Sequence, residues 1–244
     1  MDQPIQIDEI IGKTTQGMSG VHRCEGEDGE FYYVKGYKVG REDQAKEWIC
    51  GHLAKEFGLP VADFCLVEIN ECLYHSLRND SLRDAGHGIC FGSREVKQAN
   101  WLEPNKMPKK VSNNLKSDIL VFDWWVKNCD RTPDNPNLLW TASEQKLSVI
   151  DHNLAFDCEF DEASFFKTHI FSGAKDTVFG DMVAIQEYQA RMDKAITVFE
   201  SAVDTVKRIW PWHDLEETRP FELDSEALLA TLEMYRSSEF WSMK

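Results

Sequence analysis

The stretch from Phe122 to Phe156 constrains this chain more than any other. It reads FDWWVKNCDRTPDNPNLLW, then the turn TASEQ, then KLSVIDHNLAF. Apolar spacing predicts a helix end, a polar loop, a short strand, a tight turn and a second strand that finishes at Asp151. Asp130, Asn135, Asn137 and Asp151 therefore gather at the ends of two apolar strands. All four offer hard oxygens or proton acceptors, a set that suits Mg²⁺, which takes one or two carboxylates together with phosphate oxygens. Asp, Asn and Pro also make ordinary turns, so the loop alone supports both readings equally. The second strand with its terminal acid moves the balance toward a site.

A chain of 244 residues can bury a large core, as one domain or two small lobes. Its formal net charge of −15 argues against direct nucleic-acid binding and against an acidic membrane surface, both of which need clustered Lys and Arg. The seven cysteines include no CxxC pair, and several stand in apolar runs, such as Cys50, Cys65 and Cys129. That pattern predicts reduced, buried thiols and a cytoplasmic protein. The start, MDQPIQIDEIIG, has neither a basic beginning nor a long apolar run, so no signal peptide is expected. No stretch reaches the roughly 18 apolar residues of a membrane span.

In chain order, residues 5–11 read as a strand, followed by Gly17 and Gly20 flanking Met18 and Ser19. A glycine turn between strands can lay backbone N–H groups over phosphates, although no GK[ST] follows to make a Walker loop. Asp28-Gly29 marks a hairpin turn, and the strand FYYVK ends in Lys35. A helix is expected from about Glu42 to Phe57, with Ala45, Trp48, Ile49, Leu53 and Phe57 as its apolar stripe and Glu47 at the stripe's edge. A carboxylate there can reach a lysine on a neighbouring strand or sit in solvent. Residues 61–78 read as two strands joined near Asn70, and 79–112 as a polar, loop-rich segment within which FGSREV stands out. The boundary between two lobes is placed near that segment.

A helix from Asn113 to Asn128 is expected next, with Asp123 beside its core stripe. Residues 157–180 read as irregular, with scattered phenylalanines that either face a substrate or wrap the helical part. Asp181 is expected to cap a long helix to about Arg208, WPWH at 210–213 to break it, and a last helix to run from about Asp224 to Ser237. Strands with one helix first, then helices around a small hairpin, give an α+β fold.

Taken in order, YYVKG, AKEWICGHLAKEFGLPV, FDWWVKNCDRTPDNPNLLW and LSVIDHNLAF resemble the HipA-like kinases, from about Gly17 to Phe156 with helices behind. The resemblance implies a two-lobed protein-kinase-like fold over 1–244: a β-rich N-lobe (about 1–80), the loop-rich segment (about 79–112) and a mainly helical C-lobe (about 113–244). It implies ATP and Mg²⁺, with the γ-phosphate passed to a hydroxyl of a Ser or Thr in a protein substrate. Lys35, paired with Glu47, matches the lysine that holds nucleotide phosphates, and Gly17, Ser19 and Gly20 match the nucleotide clamp, with Ser19 a candidate for autophosphorylation. Asp130 matches the catalytic base and Asp151 a metal ligand. Asn135 has the usual count from Asp130, whereas Asn137 has the usual position before the strand, and Asn137 is favoured as the other ligand. Arg131 either steadies the loop or meets the transferring phosphate, and His152 is read as a packing or hydrogen-bonding residue rather than a ligand. An antitoxin or other regulatory protein remains open as a partner. A small-molecule kinase on the same fold and a pseudokinase acting as a binding module are the competing readings.

Overall fold

The computed structural model describes residues 3–14, 20–104, 107, 108 and 110–242. Gly17 and Ser19 of the expected glycine turn lie outside the described residues. The chain divides into two compact units, one of residues 1–48, 62–96 and 204–223, the other of 49–61, 97–203 and 224–244. It is a mixed α+β protein, strand-rich toward its N-terminus and helical toward its C-terminus.

The first unit is built on strands β1 (Ile5–Lys13), β2 (His22–Gly26), β3 (Phe31–Lys35), β4 (Phe64–Ile69) and β5 (Gly88–Arg94), with helices α1 (Arg41–Phe57, as far as Trp48), α2 (Glu71–Ser76) and α3 (Asp80–Arg83). The strands close into a barrel in the order β1-β2-β3-β5-β4, sealed by a parallel pairing of Ile5 with Val67 and Gln6 with Glu68. Ile7 and Ile10 both face the core although three positions apart, because the register of β1 slips against β2 between Ile7 and Glu9 and resets the alternation. Cys24, Tyr32, Val34, Val67, Ile69 and Cys90 complete that core.

Two expectations fail in this unit. The second strand read in 61–78 is α2, because Asn70 Oδ1 accepts from Leu73 N at 2.8 Å and starts a helix. The loop-rich 79–112 segment contains β5, which pairs with both β3 and β4. Its glycines read as turn signals, but Gly92 stands mid-strand because a Cβ there would meet Val67 Cγ1 at 2.6 Å. A close cross-strand approach demands the glycine, not a turn.

The second unit carries the small sheet β6 (Ala99–Trp101), β7 (Leu138–Thr141) and β8 (Lys146–Val149), paired antiparallel in that order. Helix α4 (Asn113–Trp125) is capped by Ser112, whose side chain accepts from Leu115 N. Its Phe122 and Trp125 pack with Phe57 at ring separations of 5.5 and 6.0 Å. Residues 157–180 are not irregular throughout: Asp161 caps α5 (Glu162–Thr168), and α6 (Lys175–Val178) follows. Phe160, Phe165, Phe166 and Phe179 close around Trp124, so the phenylalanines wrap the helical unit. Asp181 caps α7 (Met182–Ala195) as expected, accepting from Val183 N at 2.8 Å. The long helix is interrupted by a 3-10 turn at Ile196–Val198 before α8 (Phe199–Ile209). The last segments are α9 (Ser225–Glu233) and α10 (Ser238–Trp241). Among the described residues all seven cysteines are free thiols, Cys72 and Cys158 on the surface rather than buried. No helix among the described residues is long and apolar enough to cross a membrane.

Candidate active site

In the barrel unit the feature that stands out is a buried ion pair. Alternation along β3 turns Tyr32 and Val34 into the barrel and Lys35 to the opposite face. There the Lys35 ammonium donates to Glu47 Oε1 of α1, with only 6% and 3% of the two residues exposed. Taking both charges out of water costs several kcal/mol per ion, offset only by close pairing, so neither residue suits a purely packing role. Gln44, one turn earlier, donates to the Gly36 carbonyl (3.2 Å) and accepts from Phe91 N (3.2 Å), which fixes α1 against the strand ends. Gly20, with φ +64°, keeps the left-handed backbone that glycine favours.

In the second unit the loop between α4 and β7 is organised by a group that sequence spacing placed only beside a stripe. Asp123 is fully buried. Its carboxylate accepts from Asn128 Nδ2 (2.9 Å), Arg131 Nε (2.7 Å) and His169 Nε2 (3.0 Å). Because His169 Nδ1 accepts from Phe171 N at 3.1 Å, the ring proton sits on Nε2. Burial pushes the Asp123 carboxyl up, but the Arg131 charge and the His169 hydrogen bond outweigh it and hold it well below the usual carboxylate range. The same burial lowers His169 against the pull of Asp123.

Arg131 passes this anchoring on. Its Nη1 donates to the carbonyls of Asn137 (2.7 Å), Ile150 (3.2 Å) and Pro136 (3.3 Å). One guanidinium, fully buried, thus ties α4 to the residue that enters β7 and to the residue before Asp151. Of the two readings of Arg131, the loop-holding salt bridge is the one observed.

Held this way, the four residues read from the sequence do come together. Asn135 Nδ2 and Asn137 Nδ2 both donate to Asp130 Oδ2, at 2.7 and 2.8 Å. Burial pushes the Asp130 carboxyl up, the two amides hold it down, and the nearby charge of Asp151 pushes it up again. Asn137 (φ 48°) and Asp151 (φ 61°) both occupy the left-handed region, which Asn and Asp tolerate better than other side chains. Such conformations persist only where the surroundings over-determine them, here through the contacts of Arg131. His152 is 1% exposed and lies edge-on to Phe122 at 5.7 Å, the packing role expected of it.

Among the described residues no three His, Cys, Asp or Glu side chains form a metal-binding group. A Mg²⁺ site does not need one, since waters and substrate phosphates complete its shell. A carboxylate whose proton affinity the nearby charge of Asp151 raises, beside two amides that turn their nitrogens to Asp130, matches that hard-oxygen chemistry. The donor set therefore fits a divalent cation.

The chain matches the family model of the HipA-like kinases over residues 7–244 and belongs to that family. It is accordingly a kinase, a phosphotransferase. Among solved structures it is similar to the crystal structure of a Helicobacter pylori proinflammatory kinase CtkA, with 13% identity and a TM-score of 0.49 over 96% of this chain and 95% of that one. Comparison with the curated proteins finds no match.

Proposed function

We propose that this protein is an ATP- and Mg²⁺-dependent kinase that transfers the γ-phosphate to a Ser or Thr hydroxyl of a protein, and that its two units are the β-rich N-lobe and helical C-lobe of a protein-kinase-like fold. The observation that carries this reading is the Asp130 cluster, in which a carboxylate of raised proton affinity is flanked by two amides and a second acid. Phosphoryl transfer needs positioning and neutralisation more than covalent help. Asp151 and Asn137, with Asn135 as the alternative, would hold the Mg²⁺. When bound, that ion supplies charge neutralisation on the phosphates. Lys35, kept in place by Glu47, would orient phosphate oxygens, and Gly20 belongs with Gly17 and Ser19 to the nucleotide clamp. Asp130 orients the attacking hydroxyl and accepts its proton, a task favoured by a carboxyl pushed above its ordinary range. Arg131 and Asp123 keep the loop in register without touching the reacting atoms.

The test is turnover: γ-labelled ATP with the purified protein, Asp151→Ala as control, against cell lysate and against small metabolites. Label moving into lysate protein supports the reading. Label moving only into small molecules sustains a small-molecule kinase, and ATP consumption no faster than in the control leaves a pseudokinase.

A further inference from the structure

Residues 157–180 do more than wrap the helical unit. Past α5 they hang from the loop that carries Asp130. Ile170 N donates to the Arg131 carbonyl at 3.0 Å, and Phe171 N donates to His169 Nδ1 at 3.1 Å. The same His169 ring donates to Asp123. Residues 169–171 are thereby held in register with the residue that follows Asp130. Within the same unit, Ile170 and Phe171 line a cavity of about 390 Å³ together with Met107 and with Asn113, Lys116 and Ser117 of α4. A cavity of about 150 Å³ already admits a benzene ring, so an amino-acid side chain enters this one with room for water.

The charge of this recess is unbalanced. Among the described residues that line it there is no Asp or Glu, and Lys116 is the one cation. Its half-buried side chain has neither a hydrogen-bond nor an ion-pair partner among the described residues. The nearest acid in sequence, Asp118, stands two positions on, where a helix turns side chains away from each other. Asp118 is taken by the Tyr188 hydroxyl (2.9 Å) and Arg191 Nη1 (2.5 Å). Asp176, beside Thr177, is exposed and does not line the recess. The hydroxyls there are spent on each other. Thr177 donates to the Ala174 carbonyl at 2.6 Å, so across 3.3 Å the Ser117 hydroxyl is the donor to Thr177. Lys116 is thus the group left to meet a ligand's charge, and Met107 and Ile170 offer apolar surface for its stem.

We propose that this recess selects the protein substrate: it takes a glutamate side chain close to the Ser or Thr that is phosphorylated, with the carboxylate on Lys116. The proposal rests on the kinase reading above. It runs against the bulk charge of −15, which by itself favours basic partners. The test uses the full chain, γ-labelled ATP and Ser-centred peptide pools, degenerate except for one position at a time fixed as Glu, Leu or Lys. At one position near the acceptor the Glu pool is expected to be labelled about tenfold more than the Lys pool. Lys116→Glu should reverse that order at this position alone, and Lys116→Met should level it. Both should act on the KM of a Glu peptide more than on kcat, because Lys116 meets the substrate away from the reacting atoms. The proposal is overturned if no position prefers Glu to Lys and Leu, or if the Glu preference survives Lys116→Glu. Peptides left unlabelled would count against the kinase reading itself. Fluorescence anisotropy of the Glu-fixed pools, which needs no turnover, then decides for the recess: weaker binding to Lys116→Glu than to the unaltered chain sustains it, and equal or absent binding removes it.

Discussion

At the level of single residues, the balance of forces on Asp130 and on Lys35 is what experiment can reach. Asp130→Asn keeps shape and hydrogen-bonding size but cannot take a proton, so turnover should fall about 10²–10⁴-fold with ATP affinity nearly unchanged in equilibrium binding. Loss of folding instead would make Asp130 structural. The sign of its pH dependence follows from its neighbours: the Asn135 and Asn137 amides hold the carboxyl down, while burial and Asp151 push it up. Asn135→Ala should therefore move the acidic limb of the kcat profile to higher pH, read at saturating ATP and Mg²⁺. Asn137→Ala should do the same, and whichever variant also demands more Mg²⁺ is the metal ligand. Lys35→Ala removes the ion-pair partner of the buried Glu47, and breaking a buried pair costs about 3–5 kcal/mol. It should lower the melting temperature as well as activity, and a variant that melts normally and turns over ATP normally would remove Lys35 from the site.

At the level of elements, helix α4 carries the anchor on which the loop depends. Asp123 is stabilised by Arg131 and His169 together, so Asp123→Ala strands a buried guanidinium and should destabilise by about 3–5 kcal/mol. Asp123 stabilises the fold above the carboxyl's unfolded value of about 3.9, a contribution lost as pH falls through and below it. His169, lowered in the folded state, opposes folding once the unfolded ring takes up protons below about 6.5. Denaturant melts at pH 7, 5 and 4 should show stability falling through His169, and a further melt at about pH 3 should add the loss from Asp123. Much of this scale was readable beforehand. The α1 stripe, the Asp181 cap and the β7–β8 hairpin follow from period and turn chemistry. Strand β5 and helix α2 were not readable, because Gly92 answers to Val67 across the sheet and Asn70 to a helix of one and a half turns. Neither partner is visible in a local window.

At the scale of the whole molecule, nucleotide binding should stabilise the fold by mass action. ATP with Mg²⁺ at about 100 times its dissociation constant is expected to add about 2.7 kcal/mol, seen as a raised melting temperature that Asp151→Ala blunts; equal shifts in both proteins would remove Asp151 from the metal. The sequence by itself determined the α+β class, the family resemblance and the identity of Asp130, Asn135, Asn137 and Asp151 as one group, because these rest on spacings of a few residues and on chemistry that each side chain carries wherever it sits. Only the tertiary structure decided that the strands close into a barrel, that Asp123 and His169, 46 residues apart, share a hydrogen bond, and that residues 204–223 return to the barrel unit. Those outcomes depend on which distant groups lose their water together, a property of the folded chain that no local pattern encodes.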